Sequence, residues 1–288
     1  RYWLTKKVLI NEHPAKEAKF EIKEVINLWR ISLNMIWVNG VNIIMSQLDR
    51  LFITTVLPIA ALGIYNIGTS GGRLINIAFA PFLVAAYPQT IQIAAKDGIT
   101  DLYKHLMRNL KVILILSLSA GLPLSFFSEE ILTVWIKKPD LVSSGKDVMM
   151  LYTFGNILLS CSSVFYLGQK ALGDLKYMSF SNALALLWYP VAIWFLLKYF
   201  GLKGATLAWV LYCSSELIFS GFVTIKYIFK GRYDSSDFFS IALSVFSGIL
   251  LVLLARYSAD YLYSDFIWIR LLIALLGAAS IFVTSYLI

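Results

Sequence analysis

Long apolar stretches recur along almost the whole chain, separated by short polar segments. A transmembrane helix needs about 20 apolar residues, whereas the strand of a membrane barrel shows about 10 residues of alternating hydrophobicity. The pattern therefore predicts an all-α polytopic membrane protein. We expect eight transmembrane helices, at residues 31–57, 64–92, 110–127, 147–168, 177–198, 203–226, 237–256 and 266–287.

Residues 1–30 differ from the rest because they are polar with a regular scatter of apolar positions. The segment KEAKFEIKEVINLWR places Phe20, Val25 and Trp29 among charged residues. This pattern is typical of an amphipathic helix that lies on the membrane surface. We expect residues 1–30 to form such a connector before the first span.

Composition supports the membrane assignment. The 288 residues are 59% hydrophobic and 15% charged, against about 25% charged in soluble domains, and the mean hydropathy is +0.73. The two cysteines, Cys161 and Cys213, lie inside apolar segments and are predicted to be packing residues. No spacing suggests a disulfide framework, a metal site or a cofactor, and no basic stripe suggests nucleic acid binding.

The positive charges indicate an orientation. Most Lys and Arg residues of the predicted loops fall on the side that carries residues 1–30. Basic loop residues are retained on the cytoplasmic side of membranes. We therefore expect both ends of this chain in the cytoplasm.

Polar residues recur at helical spacing within several predicted spans, and such stripes are costly against lipid, so they should face the bundle interior or water. They are Ser32, Asn39, Asn42, Ser46, Asp49, Arg50 and Thr54 on the first span, Asn66, Thr69, Arg73 and Asn76 on the second, Asn156, Ser160 and Ser163 on the fourth, and Thr206, Cys213, Glu216 and Ser220 on the sixth. Two interpretations remain open for the neutral residues, contacts between helices and contacts with a ligand. Glu216 is either a structural acid or a protonatable group that couples transport to an ion.

Arg50 and Arg73 are the unusual members of these stripes. If residues 57–63 form the loop, Arg50 lies about 10 Å and Arg73 about 15 Å below the turn, at similar depth in a core of about 30 Å. Two arginines with one nearby acid, Asp49, leave a surplus of positive charge that an anionic ligand would relieve. The alternative is that Arg50 extends to the outer interface and Asp49 pairs with Arg73 to join two helices.

The segment QLDRLFITTVLPIAALGIYNIG resembles a signature of polysaccharide export proteins, which include flippases of O-antigen and other lipid-linked oligosaccharides. The segment QKALGDLKYMSFSNALALLWYPVAIWFLLKYFGLKGATLAWV is similar to the closing half of that family, which shares a superfamily with multidrug extrusion transporters and lipid II flippases. The resemblance implies two helix bundles around a central cavity. This chain would then hold a connector at 1–30, the second six-helix bundle at 31–230 and two additional C-terminal helices at 231–288.

The resemblance also implies roles for the polar residues. The family moves undecaprenyl-pyrophosphate-linked sugars across the bacterial cytoplasmic membrane by alternating access. Arg50 and Arg73 would bind the pyrophosphate, with Asp49 orienting them, and Asn39, Asn42 and Asn76 would bind sugars. Glu216 is the candidate for ion coupling. The implied partners are a lipid-linked oligosaccharide, membrane lipid, and a polysaccharide polymerase with its chain-length regulator.

Two other functions compete with this one. A drug or cation antiporter of the same superfamily would need a net acidic cavity, whereas the predicted cavity side carries Arg50 and Arg73. A membrane-embedded glycosyltransferase or polymerase would need acids or histidines on an outward loop, and the acids of residues 128–147 are typical of solvated surface. The sequence therefore favours a flippase over an enzyme, and it has no Walker motif for ATP.

Overall fold

The structure, a computed structural model, describes residues 22–96, 98–230, 235–262 and 267–287, and within these ranges all elements are helical. The helices are α1 (Ile22–Val56), α2 (Ile59–Gly72), α3 (Ile75–Lys96), α4 (Ile99–Phe126), α5 (Ser128–Ile136), α6 (Pro139–Ala171), α7 (Lys176–Phe200), α8 (Leu202–Val223) with a π-helical extension (Thr224–Ile228), α9 (Ser235–Leu262) and α10 (Ile267–Leu287). The predicted all-α polytopic fold is confirmed.

The count of spans differs from the prediction. In the described ranges, seven helices are long and apolar enough to cross a membrane: α3, α4, α6, α7, α8 with its extension, α9 and α10. Helix α1 has 35 residues but is not among them. Helix α1 is long enough, but its mean hydropathy is lower than that of its neighbours because it carries a polar stripe that includes Asp49 and Arg50.

Two predicted boundaries were wrong. The first turn is only Leu57 and Pro58, not residues 57–63, because α2 begins at Ile59. The predicted second span is divided into α2 and α3 at Arg73 and Leu74. Residues 1–21 of the predicted connector lie outside the described ranges, and from Ile22 onward α1 continues without a break into the first span.

The chain crosses back and forth between two ends of the bundle. One end, called the α5 end, carries the α1–α2 turn and helix α5, and the other carries the α3–α4 and α6–α7 turns. Helix α6 lies at the centre, packed against α2, α4 and α8, while α1 packs mainly on α7. The predicted orientation, with the α5 end outside, stays a prediction.

Glycines allow α2 to approach α6 closely. A Cβ atom at Gly68 would lie 2.6 Å from Cγ1 of Val148, and one at Gly72 would lie 3.0 Å from Oγ1 of Thr153. Neither distance leaves room for a larger residue, so the two backbones pack directly. Gly71 and Gly72, directly before Arg73, therefore let α2 approach α6 closely.

The two C-terminal helices pack on each other and on α4. At the α5 end, the buried carboxylate of Glu130 accepts a hydrogen bond from Arg256 at 2.6 Å and forms an ion pair with Arg270 at 2.8 Å. Both arginines also pair with Asp260. This cluster joins α9 and α10 to helix α5.

Hydroxyl groups of the stripes also join helices. Ser160 donates to Ser117 at 3.0 Å between α6 and α4, and the hydroxyls of Ser162 and Ser220 lie 3.1 Å apart between α6 and α8. For these residues the interpretation as contacts between helices is confirmed. Cys161 and Cys213 are both free and buried, as predicted for packing residues, and Cys213 is fully enclosed.

Candidate functional site

Asp49 links α1 to α2 through a tyrosine. It is 1% exposed, and one of its carboxylate oxygens accepts a short hydrogen bond from the hydroxyl of Tyr65. The other oxygen accepts the backbone N–H of Arg50 at 2.8 Å. Among the described residues, Asp49 forms no ion pair with Arg50 or Arg73, so it does not join two helices through Arg73.

Arg50 is half-buried, and its side chain points back along α1. Its Nη1 donates to Oε1 of Gln47 at 2.7 Å, three residues closer to the start of α1. Helical side chains point toward the N-terminus of their helix, and α1 runs toward the α5 end. The side chain therefore points away from the α1–α2 turn. Its Nε is buried without a hydrogen-bonding partner in the described ranges.

The two arginines do not lie at the same depth. Arg50 precedes the end of α1 by six residues, about 9 Å, whereas Arg73 follows the start of α2 by 14 residues, about 21 Å. The bond between Asp49 and Tyr65 sets the register of the two helices. The Cα atom of Arg73 therefore lies about 12 Å deeper than that of Tyr65. The prediction of similar depths was wrong because it assumed a longer loop.

Arg73 occupies the break between α2 and α3. Backbone N–H groups of Leu74 and Asn76 bond three residues back, to Gly71 and Arg73, and this tighter turn interrupts the α-helical pattern. The carbonyl of Gly72 accepts the side-chain amide of Asn156 instead, at 3.0 Å. A break inside a membrane requires such replacement bonds.

The guanidinium of Arg73 is held on one side only. Its Nε donates to the hydroxyl of Tyr152 at 3.3 Å, and Tyr152 in turn stacks on Trp209, with ring centroids 5.3 Å apart. Tyr152 and Trp209 are 3% and 6% exposed, so this support is buried while Arg73 itself is half-buried. Among the described residues no acid pairs with Arg73. Its terminal nitrogens are left as donors for an anion.

A cavity of about 300 Å³ with a mixed polar and apolar lining lies between α1, α6, α7 and α8. Asn42 and Glu216 line it, and Glu216 is 1% exposed. Oε1 of Glu216 accepts from Ser181 at 2.7 Å, and the hydroxyl of Tyr212 donates to Oδ1 of Asn42 at 3.4 Å. The proposed role of Glu216 in ion coupling stays a prediction.

The remaining predicted residues lie apart from this cavity. Asn76 is half-buried on α3, one turn beyond Arg73, and its Oδ1 has no partner in the described ranges. Asn39 is exposed on α1, one turn before Asn42, and does not line the cavity. The predicted set therefore divides into three places: the layer of Asp49 and Arg50, the helix break with Arg73 and Asn76, and the cavity with Asn42 and Glu216.

Sequence reasoning missed the aromatic partners of the charged residues. Tyr65 follows the turn by about as many residues as Asp49 precedes it. Residues at equal distances from a turn lie opposite each other on antiparallel helices, so the contact could have been predicted. Tyr152 and Trp209 carry no such signal, because their contact depends on how α6 packs against α8. Asn156 was identified in a polar stripe, but its carbonyl partner depends on the unpredicted break.

Comparisons with known proteins bear on this fold. No protein family matches the sequence, and no curated protein is a detectable relative. A solved structure described as lipid II flippase MurJ in an inward closed conformation is similar, with a TM-score of 0.66 and 14% sequence identity. The match covers 86% of this chain and 51% of that one, so the chain spans about half the length of that flippase. At this identity the likeness shows the fold, a MurJ-like multi-pass membrane fold.

Proposed function

We propose that this chain is one lobe of a flippase that translocates undecaprenyl-pyrophosphate-linked oligosaccharide. Two facts support the proposal. The fold is similar to half of a protein named as a lipid II flippase. Arg50 on α1 and Arg73 at the break between α2 and α3 also form no ion pair with an acid among the described residues, and such guanidinium groups suit a phosphate-bearing lipid.

The observation that carries the proposal is Arg73 at the helix break. Guanidinium groups bind phosphate through pairs of parallel hydrogen bonds. Tyr152 holds the Nε side of Arg73, which fixes the plane of the group and leaves its outer edge open. A charge inside a membrane is retained where it has a function, because it is costly to insert.

Arg50 and Asp49 would adjust the affinity of this site. Arg50 adds a second positive charge, about 12 Å away along the helix axis by Cα position but with its side chain pointing away from the α1–α2 turn. Asp49 offsets part of that charge, so that the headgroup is able to leave. Asn39, Asn42 and Asn76 would contact sugars, and the lipid tail would stay in the bilayer.

Alternating access would follow from this arrangement. The second lobe would close the cavity, and rocking of the two lobes would expose the headgroup to each side in turn. The break at Arg73 suits such movement, since interrupted helices line binding sites in transporters. We place the protein in the bacterial cytoplasmic membrane with both chain ends inside, acting with a polysaccharide polymerase and a chain-length regulator.

Surface export in cells tests this function. The full-length gene is expressed in a flippase-deficient strain, and Arg73→Gln and Arg73→Lys are compared with Arg108→Gln, which removes an exposed charge. We expect Arg73→Gln to lose export at least tenfold, Arg73→Lys to lose part of it, and Arg108→Gln to remain normal at equal expression. Normal export by Arg73→Gln would refute the role of the arginine.

A further inference from the structure

The cavity that contains Glu216 is separate from the Arg73 site. It is formed by Asn42 and Ser46 of α1, Ser163 of α6, and Trp209, Tyr212 and Glu216 of α8. None of the three residues around the helix break, Arg73, Asn76 and Tyr152, lines it. Its chemistry also differs, because it holds an acid and no base.

Glu216 lacks a positive partner. Its Oε1 accepts one hydrogen bond from Ser181, and its Oε2 has no partner in the described part of the chain. No described Lys, Arg or His lies within ion-pairing distance of it. A buried carboxylate with one neutral donor is poorly compensated, so its negative charge requires either a proton or a ligand that brings positive charge.

The hydroxyl groups beside Glu216 offer acceptors. Ser46 donates its proton to the carbonyl of Ile43 at 2.8 Å, and Ser163 donates to the carbonyl of Leu159 at 2.8 Å. Both hydroxyl oxygens therefore keep only their lone pairs for a ligand. Together with Glu216 they give the lining of the cavity three acceptor groups, and an ammonium group has three donors to offer.

The rest of the cavity suits a small ring with hydroxyl groups. The aromatic rings of Trp209 and Tyr212 line it, with ring centroids 5.6 Å apart, and aromatic rings attract cations and pack against apolar ring surfaces. The amide nitrogen of Asn42 supplies a donor, because its oxygen already accepts from Tyr212. A volume of about 300 Å³ is at the small end of ligand pockets, which suits one ring rather than an oligosaccharide.

We propose that this cavity binds a single sugar ring that carries a free ammonium group, with Glu216 as its counter-ion. The inference rests on the proposed function, because the ring would be one residue of the translocated oligosaccharide. Glu216 would then select the cargo, and it would contact the sugar rather than a coupling ion.

Binding of monosaccharides to the purified protein tests the inference. Isothermal titration compares 2-amino-2-deoxyglucose with glucose, each at constant ionic strength with sodium or potassium as the salt. We expect the amino sugar to bind at least tenfold more tightly than glucose. Equal binding of the two sugars, or competition by sodium but not potassium, would overturn the proposal.

Variants identify the residue responsible. Glu216→Gln keeps the shape of the side chain. It should weaken binding of the amino sugar at least tenfold and leave the affinity for glucose unchanged. Glu129→Gln is the control, since Glu129 is an exposed acid outside this cavity. This variant should bind the amino sugar with the same affinity as the unmodified protein. If Glu216→Gln folds poorly, Asn42→Ala is the second variant to measure. It should weaken binding of both sugars to the same extent. Unchanged amino-sugar binding in Glu216→Gln would refute the assignment.

The outcomes also separate this inference from the proposed function. Absence of amino-sugar binding together with loss of export in Arg73→Gln would remove the cavity assignment and leave the flippase proposal. Selective amino-sugar binding together with normal export in Arg73→Gln would remove the arginine site and leave the cavity as an ammonium-binding site.

Discussion

Replacement of Gly68 by alanine tests the packing on which the whole site depends. A Cβ atom at this position would lie 2.6 Å from Cγ1 of Val148, 2.8 Å from its Cβ and 2.9 Å from the carbonyl oxygen of Gly145. All three atoms belong to α6. A branched side chain and a backbone oxygen cannot rotate away, so α2 would have to move.

The size of the effect follows from two opposing contributions. Overpacking a close contact costs about 1–3 kcal/mol, and the upper part of this range applies where backbone must move. Alanine gains about 1 kcal/mol over glycine in helix propensity. We therefore expect Gly68→Ala to lower the free energy of unfolding by about 1–2 kcal/mol.

Gly40→Ala is the matched control. Gly40 lies within α1, and nothing comes within 4 Å of the added Cβ atom. This variant should gain stability by about 0.5–1 kcal/mol from propensity alone. The two proteins are compared by titration with denaturing detergent in mixed micelles, followed by tryptophan fluorescence. Equal stability of Gly68→Ala and Gly40→Ala would refute the close approach of α2 to α6.

Three further substitutions test individual contacts by the same unfolding assay. Tyr65→Phe leaves the carboxylate of Asp49 without its side-chain donor, so we expect the free energy of unfolding to fall by about 1–3 kcal/mol. The same substitution should cost less when it is made in a protein that already carries Asp49→Asn. Asn156→Ala removes the donor to the Gly72 carbonyl and should lower the free energy of unfolding by about 1–3 kcal/mol. An unchanged midpoint of the unfolding transition would show that this carbonyl has another partner. Lys146→Ala breaks an exposed ion pair and should change stability by less than about 1 kcal/mol, so a larger loss would contradict its exposed position.

Apolar length predicted most of the fold. Helices α6 to α10 each contain one predicted span, because a hydrocarbon layer sets the length of an apolar segment. The break at Arg73 escaped prediction because residues 64–92 were expected to form one continuous helix through Gly71 and Gly72. Glycine pairs permit both close approach and a change of helical pattern, and tertiary contacts such as that of Asn156 decide between them.

The candidate site was predictable in its parts but not in its arrangement. Spacing identified the stripes, and of their charged members Asp49 and Glu216 are buried while Arg50 and Arg73 are half-buried. It did not establish which residues meet, because the turn length sets the register of α1 against α2. One error of five residues in that turn put Arg50 and Arg73 level with each other. The aromatic supports of Arg73 depend on side-chain packing between α6 and α8, which periodicity does not encode.

Native mass spectrometry of the full-length protein with a short-chain prenyl pyrophosphate tests the central claim most directly, that Arg73 at the helix break binds a phosphate-bearing lipid. The account predicts that the unmodified protein and Arg108→Gln bind this lipid equally, and that Arg73→Gln binds it at least tenfold more weakly. Equal binding by Arg73→Gln would contradict the claim.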